Sequence, residues 1–249
     1  LFKGFFLTHW IYTINLINLL EKSNEFLYNV IDNITSKKLK ISFDVKKSQS
    51  PIYTLPSVSV QLYYFFLVIK KVIKRSINKI LKIRKRWNVG YNFSNNWKNI
   101  DLSQSTKILN PPNRYLADPF IVKKGEEYYC FVEDYDFRTK KGCISVYEIN
   151  KDSYKEIGIA LKENFHLSYP FLINHENEFY MCPETHEAKE IRLYKCIKFP
   201  LEWKYVKTLI PNVSAVDTNI FFKDKKWWLM TNLSNSSLED HASQLHIFS

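Results

Sequence analysis

Residues Asp118 to Glu133 read DPFIVKKGEEYYCFVE, and this stretch recurs twice downstream without a gap. Tyr169 to Glu184 reads YPFLINHENEFYMCPE, and Asp217 to Asn232 reads DTNIFFKDKKWWLMTN. The starts lie 51 and 48 residues apart. Each copy is a short apolar run, a polar turn and a second apolar run rich in aromatics. That is a β-hairpin, and hairpins at a period near fifty mark propeller blades or a similar array. One hairpin cannot bury both its faces, whereas stacked copies can.

Working outward, the first blade is expected near 111–163, with strands at Pro119–Lys123, Tyr128–Glu133 and Cys143–Ile149 and a weaker one near Ile157–Leu161. The second, near 164–211, has Phe171–Asn174, Glu178–Cys182, Ile191–Ile197 and Trp203–Leu209; the third, near 212–249, has Asn219–Phe222, Lys226–Met230 and Leu245–Ser249. Alternation within these strands is only partial, as in Ile191-Arg192-Leu193-Tyr194, which fits strands covered on both faces. Glycine is scarce, at 5 residues, so the turns must lean on Asn, Asp and Lys. The fold class is therefore mainly β, an incomplete β-propeller of about three blades over 92–249, preceded by a helical, basic N-terminal segment.

That segment is mixed. Leu1–Phe6 is short and strand-like, Thr13–Ile34 has helical apolar spacing, and Lys37–Ser50 reads as a basic loop. Residues 51–91 form an amphipathic linker: Pro51 and Pro56 punctuate an extended stretch, and Val60–Trp87 follows with Leu62, Phe65, Phe66, Ile69, Val72, Ile73, Ile77, Ile80 and Leu81 at helical spacing. Nine cations crowd its second part (Lys70, Lys71, Lys74, Arg75, Lys79, Lys82, Arg84, Lys85 and Arg86) with no acid among them. The uninterrupted apolar run Leu62–Ile69 is far short of the ~20 residues that cross a bilayer. Two main readings fit residues 60–87: a helix lying on an anionic membrane face, or a solvated linker packed on a neighbouring domain. A calmodulin-type target shares the pattern. Trp87–Asn110 is a join, with Gly90, Asn92, Asn95 and Asn96 as helix breakers and Asn110-Pro111-Pro112-Asn113 as a rigid turn.

Charge follows the same division. Residues 1–91 carry 16 Lys and Arg against 4 Asp and Glu, while residues 92–249 carry 20 against 21. The repeat region is neutral, carboxylate-rich and aromatic, which argues against nucleic acid as its ligand, since a phosphate backbone wants a basic groove. Cys130, Cys143, Cys182 and Cys196 form no C-x-x-C pair and read as buried free thiols in a reducing compartment; two disulfides are the alternative for an even count. The chain starts at Leu1 rather than Met and ends at Ser249 within a strand-like stretch, so it reads as part of a longer protein.

At the same place in each repeat stand Asp118, Tyr169 and Asp217, and at its end Glu133, Glu184 and Asn232. Innermost strands of a propeller converge on an axis, so equivalent residues gather around one funnel. Carboxylates with aromatics nearby suit a sugar: they accept hydroxyl hydrogen bonds or act as acid and base, while ring faces stack on the pyranose. The plainer reading is that these carboxylates cap turns or pair with Arg114 and lysines. His241 and His246 have a spacing a zinc site could use, and His166, His175 and His186 lie in second-repeat loops, but no cysteine pair accompanies them and no metal is expected. There is no P-loop, dinucleotide fingerprint or nucleophile elbow, and no cofactor is expected.

The motifs R-Y-L-A-D-P-F (Arg114–Phe120), Y-P-F (Tyr169–Phe171), P-E-T (Pro183–Thr185) and V-D-T-N (Val216–Asn219) resemble the N-terminal propeller of plant glucosamine inositolphosphorylceramide transferases, which has bacterial relatives. That domain is itself similar to family 43 glycoside hydrolases, five-bladed propellers with inverting carboxylate chemistry. The resemblance spans about Trp87–Ser249. It implies that Asp118 corresponds to the hydrolases' general base and Asp217 to the Asp that orients and tunes the acid. The acid itself comes from another blade; Glu184 is a stand-in at a different place in the repeat. Blade two carries Tyr169-Pro170 where blades one and three have Asp. Arg114, Glu133, Tyr169, Glu184 and Asn219 are the expected substrate-binding residues. In the plant transferases the transfer itself is assigned to a separate C-terminal domain, so a catalytic propeller and a non-catalytic sugar-binding module both remain open. The implied ligand is a glycan, glycolipid or sugar nucleotide; the basic helix suits a cytoplasmic setting next to a membrane. Upstream, Leu1–Phe6, Ser50–Leu55 and the basic helix resemble the tail and linker of bacterial proteins in which a formyltransferase-like domain precedes this propeller. Residues 1–50 are then the remnant of that domain, without its Asn, His and Asp motif.

Overall fold

The computed structural model describes residues 11–36, 56–81, 86–96, 98, 100–234, 241 and 245–249. The chain divides into two units, Leu1–Arg84 and Lys85–Ser249. Two helices are described in the first, α1 (Tyr12–Thr35) and α2 (Val58–Ile80). Both follow from the apolar spacing, and α2 closes with Leu81 donating its N–H to Ile77. The strand expected at Leu1–Phe6, the basic loop at 37–50, the start of the extended stretch at 51–55 and residues 82–85 of the basic segment lie outside the described residues. Among the described residues no helix is long and apolar enough to cross a membrane.

The second unit is built from antiparallel sheets in chain order. A short pair, β1 (Val89–Tyr91) and β2 (Thr106–Ile108), comes first. Next is a four-stranded sheet of β3 (Arg114–Lys124), β4 (Glu127–Asp136), β5 (Lys141–Ile149) and β6 (Tyr154–Leu161). A second holds β7 (Ser168–His175), β8 (Glu178–Glu184), β9 (Glu190–Lys198) and β10 (Glu202–Pro211). The third is formed by β11 (Ala215–Lys223), β12 (Lys226–Leu233) and β13 (Leu245–Phe248). Within each sheet the strands lie side by side in sequence order. The first strands are also neighbours across sheets: β3 packs beside β7, and β7 beside β11. Meandering sheets whose first strands line one interior are propeller blades.

Burial explains why alternation is weak. On β4, Cys130 and Val132 enter a core with Val89, Tyr91, Ile108, Leu116 and Tyr147, while Phe131 between them enters another with Ile144, Leu167, Met181 and Tyr194. All three β4 residues are fully buried. A strand sandwiched on both faces needs apolar residues at consecutive positions. The third core, with Cys182, Ile191, Ala215, Leu229 and Leu233, joins the second and third blades.

The described part of the join at 87–110 holds more regular structure than its sequence indicates. Gly90 is not a helix breaker, because the helix ends ten residues earlier and Gly90 sits in β1. Tyr91 donates its Oη hydrogen to the Ser153 carbonyl at 2.8 Å, and Asn110 ties Trp87 to Leu116 through both ends of its amide. Turn chemistry follows the glycine shortage: the β7–β8 and β11–β12 hairpins turn on Glu176-Asn177 and Asp224-Lys225, all four at positive φ. All four cysteines are free, and burial pushes the Cys130 and Cys182 thiols up to about 12.

Phe131 also meets Trp203 and Phe199 edge-on, at 5.8 and 6.1 Å between ring centres. Truncating it leaves a cavity between two blades. Phe131→Ala is expected to lower unfolding free energy by about 3–5 kcal/mol, and Ile121→Ala, at an exposed position of β3, by roughly 1 kcal/mol or less, both read from urea denaturation.

Candidate active site

The three repeat-start residues share an unusual backbone. Asp118, Tyr169 and Asp217 have φ of 47°, 45° and 55°. This left-handed region is costly for any residue with a Cβ, and a tyrosine there is an outlier. At each of them the ladder skips: the register shifts between Ala117 and Phe120, Ser168 and Phe171, and Val216 and Asn219. Each blade's innermost strand thus carries a β-bulge at the same place, and a bulge re-aims the side chain it carries. Just before each bulge the partner strand supplies the repeat-end residue, in the pairs Ala117–Glu133, Ser168–Glu184 and Val216–Asn232. Thr231 pins the third bulge, donating to the Val216 carbonyl at 2.9 Å and sharing a 2.9 Å hydrogen bond with Thr218.

The bulges bring carboxylates of different blades together. Burial raises the Asp118 pKa, and the charges of Glu184 and Asp217 push the same way, against a backbone N–H donated by Tyr169. Asp217 is raised by burial and by Glu184, with Asn232 and His241 opposing. Glu133 is displaced furthest. It is 6% exposed, and burial together with the charges of Asp118 and Glu184 pushes it up to about 8, against a hydrogen bond from Tyr115. It therefore holds a proton at neutral pH. Tyr115 donates to Glu133 Oε1 at 3.5 Å and stacks on Tyr135 at 4.9 Å.

Histidines from the blade connections complete the cluster, and the sequence reading missed them as site residues. Gly142 donates its N–H to His166 Nδ1 at 2.8 Å, so the ring proton is on Nε2, which lies 3.7 Å from Glu133 Oε1. Burial depresses the His166 pKa. His186 Nδ1 is 2.9 Å from Glu184 Oε1, and His241 Nε2 is 2.8 Å from Ser214 Oγ. Ring centres step 5.8 Å from His166 to His186 and 6.1 Å from His186 to His241. His246, the other member of the zinc-like spacing, stacks on Phe248. Among the described residues no three His, Cys, Asp or Glu side chains are gathered to hold a metal.

The expected binding residues divide. Tyr169 and Asn219 meet across blades, Tyr169 Oη donating to Asn219 Oδ1 at 3.4 Å, and the Tyr169 ring packs edge-on against Phe120 at 4.9 Å. Glu133 and Glu184 belong to the carboxylate group. Arg114 does not: its Nη1 is 2.7 Å from the buried Asp134 Oδ2, which also accepts from Ser145 at 2.8 Å. A separate cleft of about 470 Å³ between the second and third blades, walled by His175, Tyr180, Trp227 and Phe248, lies at the far end of β7 and contains none of these carboxylates.

Bladed sheets with an acidic centre, fed by one bulge per blade, define a propeller-type domain. The chain belongs to the family described as Glucosamine inositolphosphorylceramide transferase 1, N-terminal, whose model matches residues 81–249. It is 40% identical over 134 residues to Glucosamine inositolphosphorylceramide transferase 1 of Oryza sativa subsp. indica, covering 53% of this chain and 18% of that protein. With the Arabidopsis thaliana protein of the same name the identity is 37% over 121 residues, covering 48% and 16%. The chain thus spans less than a fifth of the length of these relatives. Among solved structures it is similar to an exo-1,5-alpha-L-arabinanase from a bovine ruminal metagenomic library, with a TM-score of 0.37 and 13% identity over 56% of this chain and 57% of that one. A second is an alpha-L-arabinofuranosidase from Lactobacillus brevis, with a TM-score of 0.36 and 16% identity over 51% and 46%. The family model starts at residue 81 and reaches none of residues 1–50, the part read as the remnant of a formyltransferase-like domain.

Glu133 gives the site a pH signature. Its carboxyl keeps a proton in the folded state that the unfolded chain has already lost, between its ordinary value of 4.5 and about 8. Stability from this group is therefore present at low pH and lost as pH rises through that window. Glu133→Gln is expected to flatten the fall and to exceed the wild type at pH 9 by on the order of 2 kcal/mol, measured by denaturant unfolding from pH 5 to 9.

Proposed function

We propose that this domain acts on a carbohydrate held at the carboxylate cluster. The observation that carries this reading is the convergence of Asp118, Glu184 and Asp217 from three blades beside the protonated Glu133. Ionised carboxylates accept hydrogen bonds from sugar hydroxyls, and Glu133 donates one. Tyr115, Tyr135 and Phe120 supply aromatic surface beside them. A site of this kind prefers a neutral polyol to an anion, because a second negative charge would meet the first set. The relatives' name pairs glucosamine with an inositolphosphorylceramide, and it is the sugar part of such a ligand, not its phosphate, that suits this site.

In the catalytic form of this reading Asp118 takes the proton from a water or sugar hydroxyl. Burial and its acidic neighbours raise its affinity for that proton, as a general base requires. Asp217 and Glu184 set the field in which it works. Two carboxyls in one site whose surroundings give them different proton affinities are the usual arrangement for acid and base at the same pH. A purely binding role is favoured by one observation: the second blade offers Tyr169, a hydrogen-bonding and packing residue, where the others offer Asp.

A screen of glycans, glycolipid headgroups and nucleotide sugars against the full chain tests the proposal, with an Asp118→Asn, Asp217→Asn variant alongside. Asparagine tolerates the left-handed backbone and removes buried charge, so the variant is expected to keep or raise its Tm while ligand affinity falls roughly tenfold or more. Turnover by the wild type that vanishes in the variant makes the domain an enzyme. Binding with no turnover by either form makes it a recognition module. No sugar ligand at all returns the carboxylates to a structural role.

A further inference from the structure

Helix α2 carries two different surfaces in succession. From Val58 to Ile69 it has no charged residue, and its apolar side chains point to every side. At 100° per residue Leu62 and Tyr64 fall on nearly opposite faces, as do Phe65 and Leu67, and all four are between 39% and 57% exposed. From Lys70 onward the pattern changes. Lys70, Lys71, Lys74, Arg75 and Lys79 occupy one broad arc, and Ile69, Ile73, Ile77 and Ile80 the opposite one. No residue from 45 to 100 is acidic. None of the described side chains of α2 is buried.

A helix lying flat on a membrane has an apolar stripe along its whole length and a charged face in water. The second half of α2 fits that description, but the first half does not: lying flat, it would turn Tyr64 and Leu67 toward solvent on the same arc as the lysines. We propose that α2 docks on an anionic lipid bilayer in a tilted pose, its first half submerged among acyl chains on all sides and its cations at the level of the lipid phosphates. The uncharged half is about 18 Å long, close to the ~15 Å depth of one leaflet's hydrocarbon and far short of both. Polar groups of the first turn bond one another, with Gln61 Nε2 donating to the Pro56 carbonyl at 2.8 Å and Ser57 Oγ 2.9 Å from Ser59 Oγ. The charge pattern identifies the occupant: a run of cations in a stretch of sequence without an acid matches an anionic lipid surface.

The two poses separate on one substitution. Tyr64→Lys with Leu67→Lys adds cations on the arc that a flat helix turns to water, so flat binding is kept or strengthened. In the tilted pose the same pair carries charge into hydrocarbon. Flotation of the full chain with phosphatidylcholine vesicles and with vesicles containing phosphatidylglycerol reads the difference, with circular dichroism confirming that helix content is kept. Wild type is expected to float with the anionic vesicles and not with the neutral ones, the double variant to lose about tenfold or more of that partitioning, and Lys70→Gln, Lys71→Gln, Lys74→Gln together to abolish the lipid preference. Undiminished binding by the double variant, equal binding to neutral vesicles, or no binding by the wild type would each overturn the proposal.

Discussion

One backbone feature sets the arrangement of the blades around the site: a residue held in the left-handed region at the bulge of each innermost strand. Asp118, Tyr169 and Asp217 each carry a cost of order 1–2 kcal/mol that an unbulged strand would avoid. The cost is sustained by packing on either side of the strands. Cys130, Phe131 and Val132 are buried on alternate faces, and the cores they enter hold the first blade against its neighbours. Rigid sheets hold the bulges, and the bulges aim side chains from three blades at one another. Without the extra residue, Asp118 would follow the regular two-residue alternation of its strand.

Electrostatics follows from that geometry. Carboxylates that converge in a partly buried space cannot all ionise cheaply, so the most enclosed of them keeps its proton. Glu133 is that one, sealed by Tyr115 and His166. The cost of crowding acids is met partly by the neutral donors Tyr169 N–H on Asp118 and Asn232 on Asp217, and His186 Nδ1 lies 2.9 Å from Glu184 Oε1. Among the described residues no arginine or lysine is paired with Asp118, Glu133, Glu184 or Asp217. Arg114, the nearest in sequence, is engaged with Asp134 within its own blade. An acidic site whose partners among the described residues are amides, hydroxyls and imidazoles rather than arginine or lysine is suited to hydroxyl-rich ligands.

Much of the fold was legible because the repeat is a physical unit. DPFIVKKGEEYYCFVE and its two copies gave the hairpins, and every strand expected from 119 to 230 lies within an observed one, while the last, Leu245–Ser249, overruns its observed strand by Ser249. The short β1–β2 pair was not legible, because three-residue strands between Asn-rich segments carry no pattern; only the contacts of Tyr91 and Asn110 reveal their role. For the site, register identified the residues that converge, since equivalent positions on stacked blades share an environment. It could not place Arg114, whose partner Asp134 lies across the ladder. The histidines escaped because His166, His186 and His241 come from connections outside the repeat register. The proton on Glu133 was invisible for another reason: it depends on enclosure by neighbours, which no spacing encodes.

The claim that carboxyls of separate blades face one another can be measured without knowing the ligand. NMR titration of the chain with ¹³C-labelled aspartate and glutamate side chains follows each carboxyl directly. Asp217 is one of the charges holding the Asp118 carboxyl above its usual range, so Asp217→Asn should lower the Asp118 titration midpoint, while a charge removed on the far side of the second blade, as in Glu178→Gln, should leave it in place. An Asp118 midpoint that does not move when Asp217 is neutralised would mean that the bulged residues do not share a site.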